Sequence, residues 1–299
     1  MMSRAVYGGV EGGGTKFNCV IGTGPDDIVA TETFPTTDPE ATLGRVVRFF
    51  RGRLGDNTLR ALGMASFGPV DLDRASPTYG HITTTPKAGW QFVDVAGILQ
   101  AQLGVAIGFD TDVTAATLGE HRWGAAQDVE TVVYVTIGTG IGSGHYVNGA
   151  PLHGLIHPET GHLLLPPIEG DDFPGVCPFH RRCFEGMCSG PALGARLGRP
   201  AKAIAPDHPV WELEARYIAM AITSIMYVAS PHRIVLGGGV MEQLHLFPRI
   251  RRHVLEITNS YLHHTAVLEH IDSYIVPPGL GPRAGMLGAI ELARLALES

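Results

Sequence analysis

The spacing of apolar residues changes period several times along the chain, and each change marks an element. Residues 5–10 form a short apolar run of strand length, and apolar residues resume at 17–21. Between them lies Glu11-Gly12-Gly13-Gly14-Thr15-Lys16, so the pattern predicts a hairpin with a glycine tip. A third strand is expected at 28–33. From 39 to 54 the period becomes helical: Leu43, Val46, Val47 and Phe50 share a face, and Asp38 stands where a cap belongs. A strand at 59–66 follows, then a Thr-, Pro- and Gly-rich loop at 79–90, a helix at 92–103, a strand at 105–109 and a helix at 113–123. The order then restarts. A strand at 131–137 leads into a second glycine tip, 138–144, and a returning strand at 145–147. Next come a long helix at 209–229 and a strand at 233–236 that opens into Gly237-Gly238-Gly239. A helix at 247–257 tolerates Pro248 because it falls in the first turn; a strand at 273–276 and a helix at 284–297 close the pattern. Strands alternating with helices predict an α/β protein. The repeated strand, glycine tip and strand predicts two related halves with a ligand between their loops.

The polar residues fall at the ends of these elements. Glycine tips expose backbone N–H groups and let an anion approach closely, with positive φ within reach. Thr15 adds a hydroxyl and Lys16 a charge, but the GxxxxGK[ST] spacing is absent, and an ordinary hairpin turn is the alternative. Asp110-Thr111-Asp112 sits where a strand ends and a helix begins, the position at which ligands gather in open α/β sheets. One of the two carboxylates is expected to cap the helix and the other to be catalytic. The 79–90 loop reads as a surface loop at a cleft or as a plain crossover, and nothing in the sequence assigns a role to its Lys87.

The densest chemistry lies between His157 and Ser189. Three of the four cysteines are there, Cys177, Cys183 and Cys188. Cys177-x-x-His180-x-x-Cys183, with His162 upstream, has the spacing of a tetrahedral site with sulfur and nitrogen ligands, for which zinc is the default metal. Two buried thiols and two unrelated histidines are the alternative. Glu159 and Glu185 flank the ligands, so a metal would hold both carboxylates in place. Cys188, only five residues after Cys183, could compete as a ligand.

Composition narrows the class. At 299 residues the chain is long enough for two domains, and its 44% apolar and 17% charged residues suit a globular enzyme. A net charge of -7 argues against nucleic acid as a partner, and no apolar run is long enough to span a membrane. The N-terminus runs straight into a strand without a signal-like segment, which predicts a cytoplasmic protein with reduced thiols able to bind metal.

Taken together, GGVEGGGTKF, TTTPKAGW, DTDVTAATLGE, VTIGTGIGSG, HPETGHLLL, GVCPFHRRCFEG and GGGVM resemble, in this order, segments of the ROK sugar kinases, and among them the bacterial fructokinases. The resemblance runs along essentially the whole chain. It implies a two-domain, actin-like ATPase fold, related to ribonuclease H, with an interdomain cleft. The first domain would cover 1–115, joined by the C-terminal helix 284–299, and the second 116–283. It implies that Asp112 is the general base and that Glu159, His162 and Glu185 bind sugar hydroxyls, with Thr111 beside them. His162 would also ligate a structural zinc with Cys177, His180 and Cys183. ATP would be held by Gly13, Gly14, Thr15 and Lys16, by Thr136, Gly138, Thr139 and Gly140, and by Gly237, Gly238 and Gly239, with magnesium on its phosphates. Glucokinase-like members carry Asn where this chain has Thr111, which counts against glucose. Glu11 stands where the wider superfamily often has Asp; the longer side chain could reach a metal-bound water, and no direct metal contact is expected of it. The expected reaction is ATP-dependent phosphorylation of fructose to fructose 6-phosphate. A broader hexokinase acting on mannose or glucose and a non-catalytic sugar sensor are the alternatives. A homodimer is expected.

Overall fold

The structure, a computed structural model, describes residues 4–298. Residues 1–3 and 299, which the expected domain limits include, lie outside the described residues. The chain forms two compact units. The first holds the chain up to Gln127, Pro151–Pro158 and the chain from Arg283 on; the second holds Asp128–Ala150 and Glu159–Pro282.

The first unit is built on strands β1 (Ala5–Gly12), β2 (Lys16–Gly24), β3 (Asp27–Pro35), β4 (Thr58–Ser66) and β5 (Ala106–Thr111). Their order in the sheet is β3-β2-β1-β4-β5. The first three are antiparallel neighbours, whereas β4 and β5 run parallel to β1 and need the crossover helices α1 (Pro39–Arg53) and α2 (Val95–Leu103). Asp38 caps α1 as expected, accepting from the Ala41 N–H at 2.9 Å. Helix α2 starts later than the sequence suggests. Phe92 has φ 59°, and Asp94 provides the cap, its carboxylate accepting from the Gly97 N–H at 2.8 Å. Helix α3 (Asp112–Trp123) follows β5 without a break.

The second unit carries β6 (Thr131–Ile137), β7 (Ile141–Val147) and the start of β8 (Ala150–Pro151), then the short α4 (Phe184–Cys188), α5 (Gly190–Leu197) and the long α6 (Val210–Ala229). Strand β9 (Arg233–Gly237), α7 (Leu246–Thr258), α8 (Thr265–Leu268), α9 (Ile271–Tyr274) and β10 (Ile275–Val276) complete it. The sheet order is β10-β9-β6-β7-β8. Trp211, Tyr217, Ile218 and Ile222 of α6 share one buried core with Val133, Val135, Ile234 and Leu236 of the sheet. Here the last strand is shorter than expected, because residues 271–274 coil into a helical turn and leave only two for β10.

The last helix, α10 (Ala284–Leu295), returns to the first unit. Its seat explains several glycines that lie within strands. Gly9, Gly63 and Gly108 are register partners across β1, β4 and β5, so they form one stripe over three strands. A Cβ at any of them would run into the backbone of α10. On its other side α10 touches α3: a Cβ on Gly288 would collide with the Ala115 carbonyl, and one on Gly119 with that of Ala284. That packing keeps α3 in the first unit, so the division falls at Gln127 and not near residue 115.

Candidate active site and metal centre

In the first unit, the glycine tip spans only Gly13, Gly14 and Thr15, closed by a Gly13 N–H to Lys16 carbonyl bond of 2.9 Å. The positive φ anticipated for this tip does not occur there. Gly14 has no left-handed φ, and a Cβ on it would meet no protein atom within 4 Å. Neither conformation nor packing within the chain therefore demands glycine at 14, and the space left above the backbone suits a ligand approaching it closely. Glu11, at the end of β1, accepts from Asn18 Nδ2 at 2.8 Å and is walled by Gly285 of α10. Burial pushes its carboxyl up, against the opposing pull of Asn18 and Lys16.

Lys87, unassigned by sequence, reaches this tip. Its Nζ donates to the Gly14 carbonyl at 2.6 Å and lies 3.4 Å from the Thr36 carbonyl. Trp90 at the end of the same loop is fully buried, donating to the Thr37 carbonyl at 2.8 Å. The loop is thus pinned at both points, by an ammonium over the glycine tip and by an indole in the core.

At the end of β5, neither aspartate caps α3. Thr111 does so: its hydroxyl accepts from the Thr114 N–H at 3.1 Å and donates to Thr114 Oγ1 at 2.8 Å. The reason is position, since Asp112 is already the first helical residue. Thr111, expected to meet sugar, is 3% exposed, and its hydroxyl is committed to this cap. Asp110 is buried, accepts from the Thr111 N–H at 2.7 Å and pairs with His153 Nε2 at 2.9 Å. The Asp110 carboxylate raises the pKa of His153 against the effect of burial. Asp112 remains half-buried at the strand end, with Oδ1 taking the Val113 N–H at 2.9 Å.

In the second unit, two glycine loops adjoin. The tip of the β6–β7 hairpin closes with the Gly138 N–H on the Gly140 carbonyl at 2.9 Å. The chain after β9 comes beside it: the Val240 N–H donates to the Ile137 carbonyl at 2.9 Å, and Gly238 adopts φ 89° against the Ile137 backbone. Gly239, like Gly14, has open space where a Cβ would stand. Thr136 is half-buried at the end of β6 and Thr139 exposed at the tip.

The four expected metal ligands come together. One donor atom from each of His162, Cys177, His180 and Cys183 lies within 4.8 Å of the other three. His162 Nδ1 is 3.9 Å from Cys177 Sγ and 3.6 Å from Cys183 Sγ, and His180 Nδ1 is 3.8 Å from Cys177 Sγ. Bonds of about 2.3 Å to sulfur and about 2.1 Å to nitrogen put neighbouring ligands about 3.6 Å apart around a tetrahedral centre. The donor set fits zinc in type and in spacing. Burial pushes the Cys183 thiol up to about 11. Cys188 stands apart, buried in α4 beside Glu214.

Local structure explains the convergence. Residues 163–165 and 182–184 form a short ladder, through the Phe184 N–H to Leu163 carbonyl bond at 2.8 Å and the Leu165 N–H to Arg182 carbonyl bond at 3.3 Å. This brings His162 to Cys183. Arg181 turns the chain with φ 53°, and its N–H closes on the Cys177 carbonyl at 3.0 Å. Arg182 donates to the Phe173 carbonyl at 2.6 Å and to Tyr217 Oη at 3.1 Å. Tyr217 in turn donates to Asp171 at 2.6 Å, and Asp171 is also paired with Arg196. Two carboxylates border the cluster. Glu185 Oε2 accepts the Ile141 N–H at 3.0 Å, and the Glu159 carboxyl is pushed up first by burial and then by the charge of Glu185.

The ROK family profile matches residues 7–296. A fructokinase of Zymomonas mobilis is 42% identical over 99% of this chain and 98% of its own. A fructokinase of Pediococcus pentosaceus is 40% identical over 98% of this chain and 99% of its own. The crystal structure of a ROK family glucokinase from Streptomyces griseus, in complex with glucose and AMPPNP, superposes with a TM-score of 0.76 at 22% identity, covering 97% of this chain and 99% of that one. The chain belongs to the ROK family and has its actin-like α/β fold.

Proposed function

We propose that this protein is an ATP-dependent fructokinase, converting D-fructose to fructose 6-phosphate. The observation that carries the reading is the near-full-length identity of about two residues in five to enzymes named fructokinase. Chemically, the reaction needs a base for the sugar hydroxyl, a grip on the other hydroxyls and a cradle for phosphates.

Asp112 is the base. Its carboxylate, at the carboxyl end of β5, accepts the hydroxyl proton as the new P–O bond forms. Glu159, His162 and Glu185 bind sugar hydroxyls. The raised pKa of Glu159 reflects a desolvated carboxylate, for which hydrogen bonds from hydroxyls are favourable. Gly13, Gly14, Thr15 and Lys16 cradle phosphates with Thr136, Gly138, Thr139 and Gly140, and Gly237, Gly238 and Gly239 line the nucleotide. The open ground above Gly14 and Gly239 supports this assignment. Magnesium on the ATP phosphates would neutralise charge during transfer. Glu11, bonded through one oxygen to Asn18, would act on that ion through a metal-bound water.

Zinc, held by His162, Cys177, His180 and Cys183, would be structural, because four protein ligands leave no open position for an activated water. What those ligands do is fix His162, and with it Glu159 and Glu185, toward the sugar. The capping role of Thr111 removes a polar partner from the position before the base, which supports fructose over glucose. The negative net charge supports a small-molecule partner over nucleic acid. Among the described residues no helix is long and apolar enough to cross a membrane. Four free cysteines suit the reducing cytoplasm, and a homodimer is the proposed assembly.

A coupled assay over fructose, mannose, glucose and N-acetylmannosamine tests the reading. The expected order of kcat/KM is fructose, mannose, glucose. Asp112→Asn should keep the fold and sugar binding while turnover falls about a hundredfold or more. A preference for glucose rejects the substrate, and near wild-type turnover in the variant rejects the base.

A further inference from the structure

Strand β7 touches Glu185 and the turn that carries Glu159 and His162, the residues of the second unit ascribed to sugar. At its first residue, the Ile141 N–H holds Glu185, and the Ile141 carbonyl faces Gly161 so closely that a Cβ there would collide with it. Two residues on, Ser143 Oγ lies 2.6 Å from Thr160 Oγ1. Two further on, His145 Nε2 lies 2.9 Å from the same serine oxygen. The spacing of two keeps all three residues on one face of the strand. Thr160 stands between Glu159 and His162 in a single 3₁₀ turn, closed by the His162 N–H on the Glu159 carbonyl at 3.0 Å.

The contact is built, not incidental. Ser143 is 2% exposed and His145 6% exposed, and a hydroxyl this deeply buried is seldom left without a partner, which half-buried Thr160 supplies here. Burial also keeps His145 neutral, so it supports Ser143 without setting a charge beside the turn. A hydroxyl held on one side by the strand fixes the rotation of Thr160, and with it the direction in which the adjoining Glu159 and His162 reach.

We infer that the hydroxyl pair of buried Ser143 and half-buried Thr160, backed by His145, is a positioning device that sets Glu159 and His162 for the sugar. Thr160 and Ser143 are positioning residues on this account, and neither needs to touch substrate. The inference rests on the fructokinase reading.

Its test uses the full chain with steady-state kinetics in both substrates. Thr160→Val removes the hydroxyl at constant shape, Thr160→Ser keeps it, Ser143→Ala removes its partner, and Glu159→Gln probes the sugar grip itself. Thr160→Val and Ser143→Ala should each raise the fructose KM about fivefold, the size of one lost hydrogen bond, with the ATP KM unchanged. The double variant should be little worse than either single one, and Thr160→Ser should stay near wild type. An unchanged fructose KM in Thr160→Val, an equal rise in the ATP KM, or a Thr160→Ser variant as impaired as Thr160→Val overturns the inference. If Thr160→Val does not fold, Ser143→Ala and Thr160→Ser decide by the same readings. Should Glu159→Gln leave the fructose KM unchanged, the sugar-binding role of this turn fails, and the inference falls with it. If Glu159→Gln raises that KM and Thr160→Val does not, only the inference fails.

Discussion

A buried histidine and a buried thiol pair respond to pH and metal in ways that single substitutions isolate. His145 is held down to about 4 from an ordinary value of 6.5, with desolvation as the cause. A histidine with a depressed pKa takes up its proton later than the unfolded chain does. Its contribution to stability is therefore complete above about 6.5 and is lost progressively as the pH falls toward 4. His145→Gln should flatten the fall of the thermal midpoint across that window relative to wild type; parallel curves would show that His145 does not govern it. The metal prediction is similarly local. Cys177→Ser or Cys183→Ser should lose about one zinc per chain and fructose affinity together, whereas Cys188→Ser should keep both, as read by elemental analysis and kinetics. A zinc-free, active wild-type enzyme sinks the assignment. The His162, Cys177, His180 and Cys183 cluster was legible in the sequence because its members lie close together in it. The cap at Thr111 was obscured by two flanking aspartates with equal claims. Lys87 and Ser143 were not legible at all, since their partners Gly14 and Thr160 are remote in sequence and a hydroxyl or ammonium carries no spacing signature; His145, bonded to Ser143, takes its role only through that serine.

Among the elements, periodicity located the main strands and the longer helices, but not β8 or the short helices α5, α8 and α9; caps and turns overrode it at Asp94 and at 271–274, and β7 starts at Ile141, where the glycine tip was expected to run on to residue 144. The glycines serve two different purposes. Those clustered at strand ends have the pattern of ligand loops, and Gly14 and Gly239 have the open space such loops need. Gly9, Gly63 and Gly108, isolated within strands, carried no such hint, although together they form the seat of α10. The seat gives a sharp test. Gly288→Ala drives a methyl into the Ala115 carbonyl, and backbone on both sides leaves little room to relax. It should cost about 3 kcal/mol in urea unfolding, the upper range for overpacking. Gly52→Ala, on the exposed side of α1 with nothing within 4 Å, should stabilise by about 0.5–1 kcal/mol. Equal effects at the two sites would remove the seat as an explanation.

For the whole molecule, the repeated strand, glycine tip and strand made two units legible, and the family resemblance assigned the last helix to the first of them. What was not legible was that α3 stays with the first unit, because Gly119 meets α10 only in three dimensions. The same seat bears on how the protein is made. The sheet of the first unit is complete once β5 has been synthesised, yet its glycine stripe stays bare until α10 emerges, after the whole of the second unit. A stripe of glycine offers water its backbone and little else to bury, so that sheet gains its packing late. The second unit, contiguous apart from the strap at 151–158, has its own core and meets no such delay. On the ribosome, then, the part of the chain translated first is the part that finishes last, and a nascent chain stalled before Ala284 holds a folded second half tethered to an unfinished first.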